Sequence, residues 1–325
     1  MSDWKAELND CITDVSELFR LLEMEPEVLP RCPSGSSGYP LLIPRSLLDR
    51  IEKGNPNDPV LRQFLPQEAE TLSVQGFTDD PVGEAGKEQR VNQLPVLNKY
   101  TGRSLLLTTN SCAVNCRFCF RRHSRKKQLS VIHYPLSITV PLHCSEVILS
   151  GGDPLILEDT EVQTLVNYIR KFPNVKRLRI HTRLPVILPK RMTEKLVGVL
   201  DTRRQAAGLN AVYLVFHINH PNELTGEFFE RIQTLQNTVL MSQTVLLKGV
   251  NDDADVLVQL FETLANHRII PYYLHQLDKV AGAAHFEVPI SRGRELLAEI
   301  AGRLPGYAVP KYVQEVAGEK SKIVL

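Results

Sequence analysis

Six short runs rich in apolar and β-branched residues recur from residue 104 onward: SLLLTT (104–109), EVILSGG (146–152), RLRIHTR (177–183), VYLVFHI (212–218), SQTVLLKG (242–249) and PYYLHQLD (271–278). Between most of them lie stretches with apolar residues at helical spacing, such as EDTEVQTLVNYIRKF, DADVLVQLFETLANH and RGRELLAEIAGRL. This alternation constrains the fold more than any other feature of the chain. Strands that alternate with helices at a spacing of roughly 30–40 residues predict βα units and a parallel sheet. The runs are apolar at consecutive positions, as a strand covered on both faces requires. Six such units predict an α/β protein with a partial (β/α)6, TIM-like barrel over residues 96–303.

The flanks read differently. Residues 1–95 are expected to form a helical and irregular N-terminal region. Within it DWKAELNDCITDVSELFRLLEM carries apolar residues at helical spacing, and the Pro, Gly and Ser content of PEVLPRCPSGSSGYPLLIPRS predicts loop. Residues 304–325 are expected to form a short C-terminal segment.

Polar residues crowd the expected C-terminal ends of the strands, where a (β/α) barrel carries its chemistry. The first strand leads into a cysteine cluster. The second ends in SGGDP, the third in HTRLP, the fourth in HINHPNE and the sixth in HQLDK. The fifth is read as an exception, with its polar SQT at the start.

The cluster, SCAVNCRFCF over Ser111–Phe120, holds Cys112, Cys116 and Cys119, three of the six cysteines. Cys11 and Cys32 belong to the N-terminal region, and Cys144 precedes the second strand at the opposite end from the cluster. With 43% hydrophobic residues the chain can bury a sizeable core, and no apolar run reaches the roughly 20 residues that a membrane helix needs. The start, MSDWKAELNDC, is polar and acidic and reads as no signal peptide. A cytoplasmic location without membrane association is therefore expected, and reduced thiols rather than disulfides. A net charge of +1 leaves no electrostatic footprint for nucleic acid. Three crowded thiolates suit zinc or an iron–sulfur cluster. Structural zinc takes four protein ligands, and no second cysteine pair is present. A [4Fe–4S] cluster normally takes four cysteines, so three would leave one iron open, as a catalytic centre requires.

The spacing Cys112-x3-Cys116-x2-Cys119, with Phe118 before the third cysteine, resembles the signature of radical S-adenosylmethionine (SAM) enzymes, in which SAM chelates the open iron. SGGDP, with Gly151, Gly152 and Asp153, is similar to the glycine-rich stretch that packs against SAM in that superfamily, where glycine permits close backbone approach. CAVNCRFCFRRH, SGGDPL, HTRLPVILPKR, INHPNE, QTVLLKGVND, PYYLHQLD and GAAHF together resemble the lysine 2,3-aminomutases, over nearly the whole chain from about residue 45. The shorter form of that family, which makes β-lysine for modifying elongation factor P, is the nearer match. IEKGNPNDPVLRQ, DKVAGAAHF and an end soon after GEKSK carry that likeness.

The resemblance implies an isomerase that converts L-α-lysine to β-lysine by a 1,2-amino migration. It implies a [4Fe–4S] cluster on Cys112, Cys116 and Cys119, SAM at Gly151, Gly152 and Asp153, and pyridoxal phosphate (PLP) on a C-terminal lysine. In VAGEKSKIVL the matching lysine is Lys322, with Lys320 as its rival and Val324 where proline is usual. Arg103 and Arg183 match arginines near the PLP phosphate, and Arg121 matches the residue that binds the substrate carboxylate. Asp278 and Glu315 match two acids that receive the substrate's distal ammonium, although the family has aspartate at the second. Gln243, His217 and His275 match polar positions around SAM and PLP. Arg125, Lys126 and Lys127 read as a solvated basic loop. The implied partners are lysine as small-molecule substrate, an external electron donor and a functional link to the ligase that attaches β-lysine to elongation factor P. Two other readings stay open: a PLP-independent radical SAM maturase and a non-catalytic iron–sulfur binding module.

Overall fold

The structure is a computed structural model that describes residues 3–25, 38–87, 89–91, 94–123, 141, 143–201 and 209–325. Cys32, Arg125, Lys126 and Lys127 lie outside the described residues. The N-terminal stretch does not form one continuous helix. Helices α1 (Asp3–Asn9) and α2 (Val15–Leu21) are separated by strand β1 (Cys11–Ile12), which pairs antiparallel with β2 (Ile43–Pro44). Asp14 explains the break: its carboxylate accepts from Glu17 N at 2.8 Å and starts α2 afresh.

Strands β3 (Gln89–Val91), β4 (Leu94–Tyr100) and β5 (Arg103–Thr109) follow one another antiparallel. Strands and helices then alternate as the periodicity predicts. They are β6 (Glu146–Gly151), α3 (Asp159–Ile169), β7 (Arg177–Thr182), α4 (Leu184–Ile187), α5 (Glu194–Leu200), β8 (Ala211–His217), α6 (Gly226–Ile232), β9 (Val239–Val245), α7 (Ala254–Asn266) and β10 (Ile270–His275). β5 through β10 pair in chain order, all parallel. The fold is thus a mixed α/β architecture around a central, mostly parallel sheet.

Three features depart from the sequence reading. After α8 (Ile290–Ala301) the chain adds β11 (Lys311–Gln314), a further parallel strand beside β10, in the segment read only as a C-terminal tail. β12 (Ile323–Val324) then folds back antiparallel on β11. Finally, β9 begins at Val239 rather than Ser242, so Ser242, Gln243 and Thr244 lie near its C-terminal end. The expected exception among the polar strand ends therefore disappears.

Both faces of the sheet are covered. Leu214, Val215 and Phe216 are consecutive in β8 and all buried. On α7, Leu257, Leu260, Phe261 and Leu264 fall on one helical stripe and are buried, each worth roughly 1.5–3 kcal/mol of transfer free energy. Trp4, Leu18, Phe19 and Phe64 of the N-terminal region join the same continuous core. The sheet also curls: Tyr100, on β4 near one edge, donates from its phenol to Glu315, just past β11 near the other, at 2.5 Å.

Candidate active site

Past Thr109 the chain leaves β5 as an irregular loop that carries the three clustered cysteines. Two glycines let β6 hold it. A Cβ on Gly151, at φ +114°, would lie 2.5 Å from Thr109 O, and one on Gly152 would lie 2.1 Å from Ser111 O. Without those atoms Gly152 N donates to Thr109 O at 2.5 Å and Asp153 N to Ser111 O at 2.8 Å. The glycines were expected to admit a ligand, and in the structure their immediate neighbour is the cysteine loop itself. A buried carboxylate holds the loop from the other side. Glu70 accepts from Arg117 Nε at 2.7 Å, Arg117 Nη2 at 2.5 Å and Arg122 Nη2 at 2.6 Å. Burial alone would raise the Glu70 pKa, but the two guanidiniums overcome it and hold the carboxyl below its ordinary value.

The loop forms one wall of a cavity of about 260 Å³. Cys112, Cys116, Cys119, Arg121, Gly151, Gly152, Asp153, Arg183, His217, Gln243, His275, Asp278, Glu315 and Lys322 all line it. Arg103, matched to the phosphate, stands apart from this cavity, and so does Lys320, the rival of Lys322. Arg103 begins β5, with its guanidinium 5.4 Å from the Tyr100 ring and 3.9 Å from the Glu146 carboxylate.

Arg103 and Arg183 were both matched to arginines near the phosphate, and the structure sets them far apart. The strand registers set Arg103 level with Glu146, and Glu146 level with Arg177. Arg183 lies six residues further along, about 20 Å of strand. It is committed to the cysteine side, where Nη1 donates to Cys116 Sγ at 2.8 Å and Nη2 to Gln63 Oε1 and Glu223 Oε2, both at 2.6 Å. Its guanidinium also stacks over Phe64 at 4.8 Å. Arg179, which the sequence reading passed over, is the arginine on the side of Arg103, with Nε 2.9 Å from the same Glu146 carboxylate.

Asp153 is buried, and both of its oxygens bind the chain. It accepts from Thr182 Oγ1 at 2.7 Å and from the N–H groups of Arg183, Leu184 and Leu155 at 2.6, 2.8 and 3.0 Å. It pins the end of β6 to the turn after β7. Burial outweighs these bonds and raises its pKa.

Three imidazoles face the cavity in neutral form. Burial first, then the charge of Arg183, push His217 down to about 3. Its ring meets Phe118 edge-on at 5.6 Å. Burial and the nearby Lys322 ammonium push His275 to about 3. His181, with Nδ1 3.0 Å from Gln243 Oε1, is held well below its usual range by burial and by Arg179.

The β11–β12 register pairs Gln314 with Ile323, which sets Lys322 beside Glu315. Lys322 Nζ donates to one oxygen of that carboxylate while Tyr100 donates to the other. Lys320 is exposed and does not line the cavity. At the cysteine side, Arg121 donates to Glu84 through Nε and Nη2 at 2.9 and 3.1 Å. Its Nη1 donates to Ser150 Oγ and Gly151 O at 3.1 and 3.3 Å. Tyr100, Glu84 and His181 were missed in the sequence. His181 had a usable signal, since it alternates with Arg179 and Arg183 along β7, whereas Glu84 sits in turn-rich DDPVGEAGKE with no periodicity to mark it.

Among the described residues, no three His, Cys, Asp or Glu side chains converge at metal-ligating spacing. The three thiols share the cavity wall, and no disulfide joins any described cysteine. No described helix is long and apolar enough to cross a membrane.

A cavity at the C-terminal ends of parallel strands, lined by thiols, cations, carboxylates and neutral imidazoles, defines an α/β enzyme. No protein-family model matches the chain. It is 40% identical to the L-lysine 2,3-aminomutase of Escherichia coli (strain K12), over 99% of the chain and 94% of that protein. It is 38% identical to the enzyme of that name from Haemophilus influenzae, over 98% and 94%. With the one from Clostridium subterminale the identity is 32%, over 99% and 77%. The chain belongs to the L-lysine 2,3-aminomutase family and is an isomerase.

Proposed function

We propose that the chain converts L-α-lysine to β-lysine by migration of the amino group from Cα to Cβ, using a [4Fe–4S] cluster, SAM and PLP. In this reading the reaction runs in the cytoplasm with an external electron donor, and its product feeds the ligase that modifies elongation factor P. One observation carries the proposal: the three clustered thiols, Lys322, Arg121, Asp278 and Glu315 stand on one cavity.

The donor sets fit the groups. Three thiols on one cavity wall suit a cluster that keeps one iron for SAM. A lysine within the cavity suits PLP, and Arg103 and Arg179, which share the Glu146 carboxylate, are the cations that would receive its phosphate, with Arg183 engaged at Cys116. When bound, the cluster with SAM supplies the one-electron chemistry that starts the reaction, and PLP supplies the conjugated π-system across which nitrogen migrates.

The chain's own residues position and seal. Arg121 binds the α-carboxylate of lysine, because a guanidinium fork matches two carboxylate oxygens. Asp278 and Glu315 receive the distal ammonium. Glu315, one methylene longer than the family's aspartate, accepts from Lys322. Arg183 beside Cys116 favours the thiolate that an iron ligand must be. Neutral His181, His217 and His275 add no positive charge next to a cationic sulfonium and ammonium. Val82, Phe118 and Leu277 exclude water from the reacting atoms.

The test is anaerobic reconstitution with iron, sulfide, PLP and SAM, reduction with dithionite, and chromatography of the lysine products. β-Lysine is the expected product, and its absence from protein with full cluster and PLP spectra overturns the reading. A Lys322→Ala protein is expected to lose retained PLP on desalting, while Lys320→Ala keeps it.

A further inference from the structure

We infer that Glu84 is a built-in competitor for the substrate carboxylate, holding the guanidinium edge of Arg121 until lysine displaces it and thereby setting the affinity and carboxylate selectivity of the site. The inference rests on the aminomutase reading, in which Arg121 receives the α-carboxylate. Glu84 binds Arg121 as a free carboxylate would, one oxygen on Nε and the other on Nη2, at 2.9 and 3.1 Å. Nη1 is already engaged by Ser150 and Gly151. A second carboxylate therefore reaches the Nε–Nη2 edge by removing the first. The side chains are 12% and 18% exposed, so the pair is shielded enough to matter and open enough to exchange.

The backbone presents Glu84 to this position. The N–H groups of Glu84 and Ala85 both donate to the Asp80 carboxylate at 2.9 Å. Thr78 is tied to the chain beyond β10, its N–H donating to Lys279 O and its carbonyl accepting from Ala281 N, each at 2.9 Å. A ligand with a carboxylate exchanges with Glu84 on the Nε–Nη2 edge of Arg121, whereas a ligand lacking the carboxylate leaves Glu84 in place.

Glu84→Gln keeps the size of the side chain and removes its charge. In the reconstituted holoenzyme the change is expected in KM for lysine, which falls on the order of tenfold, the effect of about 1.4 kcal/mol of competing binding. Equilibrium dialysis of radiolabelled lysine reads the same fall in its dissociation constant. Lysinamide, which lacks the carboxylate, gains nothing as a competitor, and Glu84→Asp, which keeps the charge, lies between the two. An unchanged or raised lysine constant in Glu84→Gln overturns the inference, and so does an equal gain for lysinamide. If the wild-type holoenzyme forms no β-lysine, the functional reading fails, and the dialysis constants still decide whether Glu84 competes with a carboxylate at Arg121.

Discussion

The Glu70 side chain is fully buried, with two guanidiniums to balance its charge. Its removal leaves Arg117 and Arg122 as buried cations without a counter-charge, so Glu70→Gln is expected to cost about 3–5 kcal/mol. A lower denaturant midpoint measures this, and reduced iron retention should accompany it, because Arg117 lies inside the cysteine loop. The histidines make a second prediction. In the unfolded chain each imidazole takes a proton near 6.5, while in the folded cavity His217 and His275 take one only near 3. Across that window the unfolded state binds more protons, so stability present above pH 6.5 falls as the pH drops. Glu70, whose folded pKa is depressed below 4.5, adds a loss in the same direction at lower pH. Chemical denaturation at pH 7 and pH 5 checks the histidine contribution, and His275→Gln should flatten the slope. The residue types around the site were readable from motifs, but the burial that holds these imidazoles neutral was not, since it depends on which chain segments cover them.

At the scale of elements, the contact between β6 and the cysteine loop is the one that the site needs most. Gly152→Ala places a methyl 2.1 Å from Ser111 O, backbone that cannot yield without moving the loop. A loss of about 1–3 kcal/mol is expected, with fewer iron atoms retained per chain after reconstitution. Thermal melts and iron analysis measure the two effects separately. Elements with a full periodic pattern and a cap were legible: α7 is capped by Asp253, whose carboxylate accepts from Asp255 N and Val256 N, and carries an unbroken buried stripe. The shortest elements were not. β11 has four residues and β12 two, too few for alternation to stand out from loop. The N-terminal helix was overextended because its apolar spacing continues through Asp14, a residue that caps rather than propagates.

Over the whole molecule, the hydrogen bond from Tyr100 to Glu315 joins opposite sides of the curled sheet. Tyr100→Phe removes a donor from a largely buried carboxylate that also holds Lys322. The expected loss is about 1.5–3 kcal/mol, read as a lower urea midpoint. The alternation of β-rich and helical stretches determined the order of the parallel strands, and the spacing of Cys112, Cys116 and Cys119 marked the loop between β5 and β6 as one wall of the site. Both are local signals, carried by residues a few positions apart. The tertiary structure alone decided that Arg121 meets Glu84, that Arg183 turns to Cys116 and away from Arg103, and that Lys322 rather than Lys320 enters the cavity. Those partners are set by strand register and sheet curl, and they join segments up to 67 residues apart, as Tyr100 and Glu315 are joined across 215. No periodicity in a chain spans such a separation, so only the packed fold selects among the side chains that the sequence makes available.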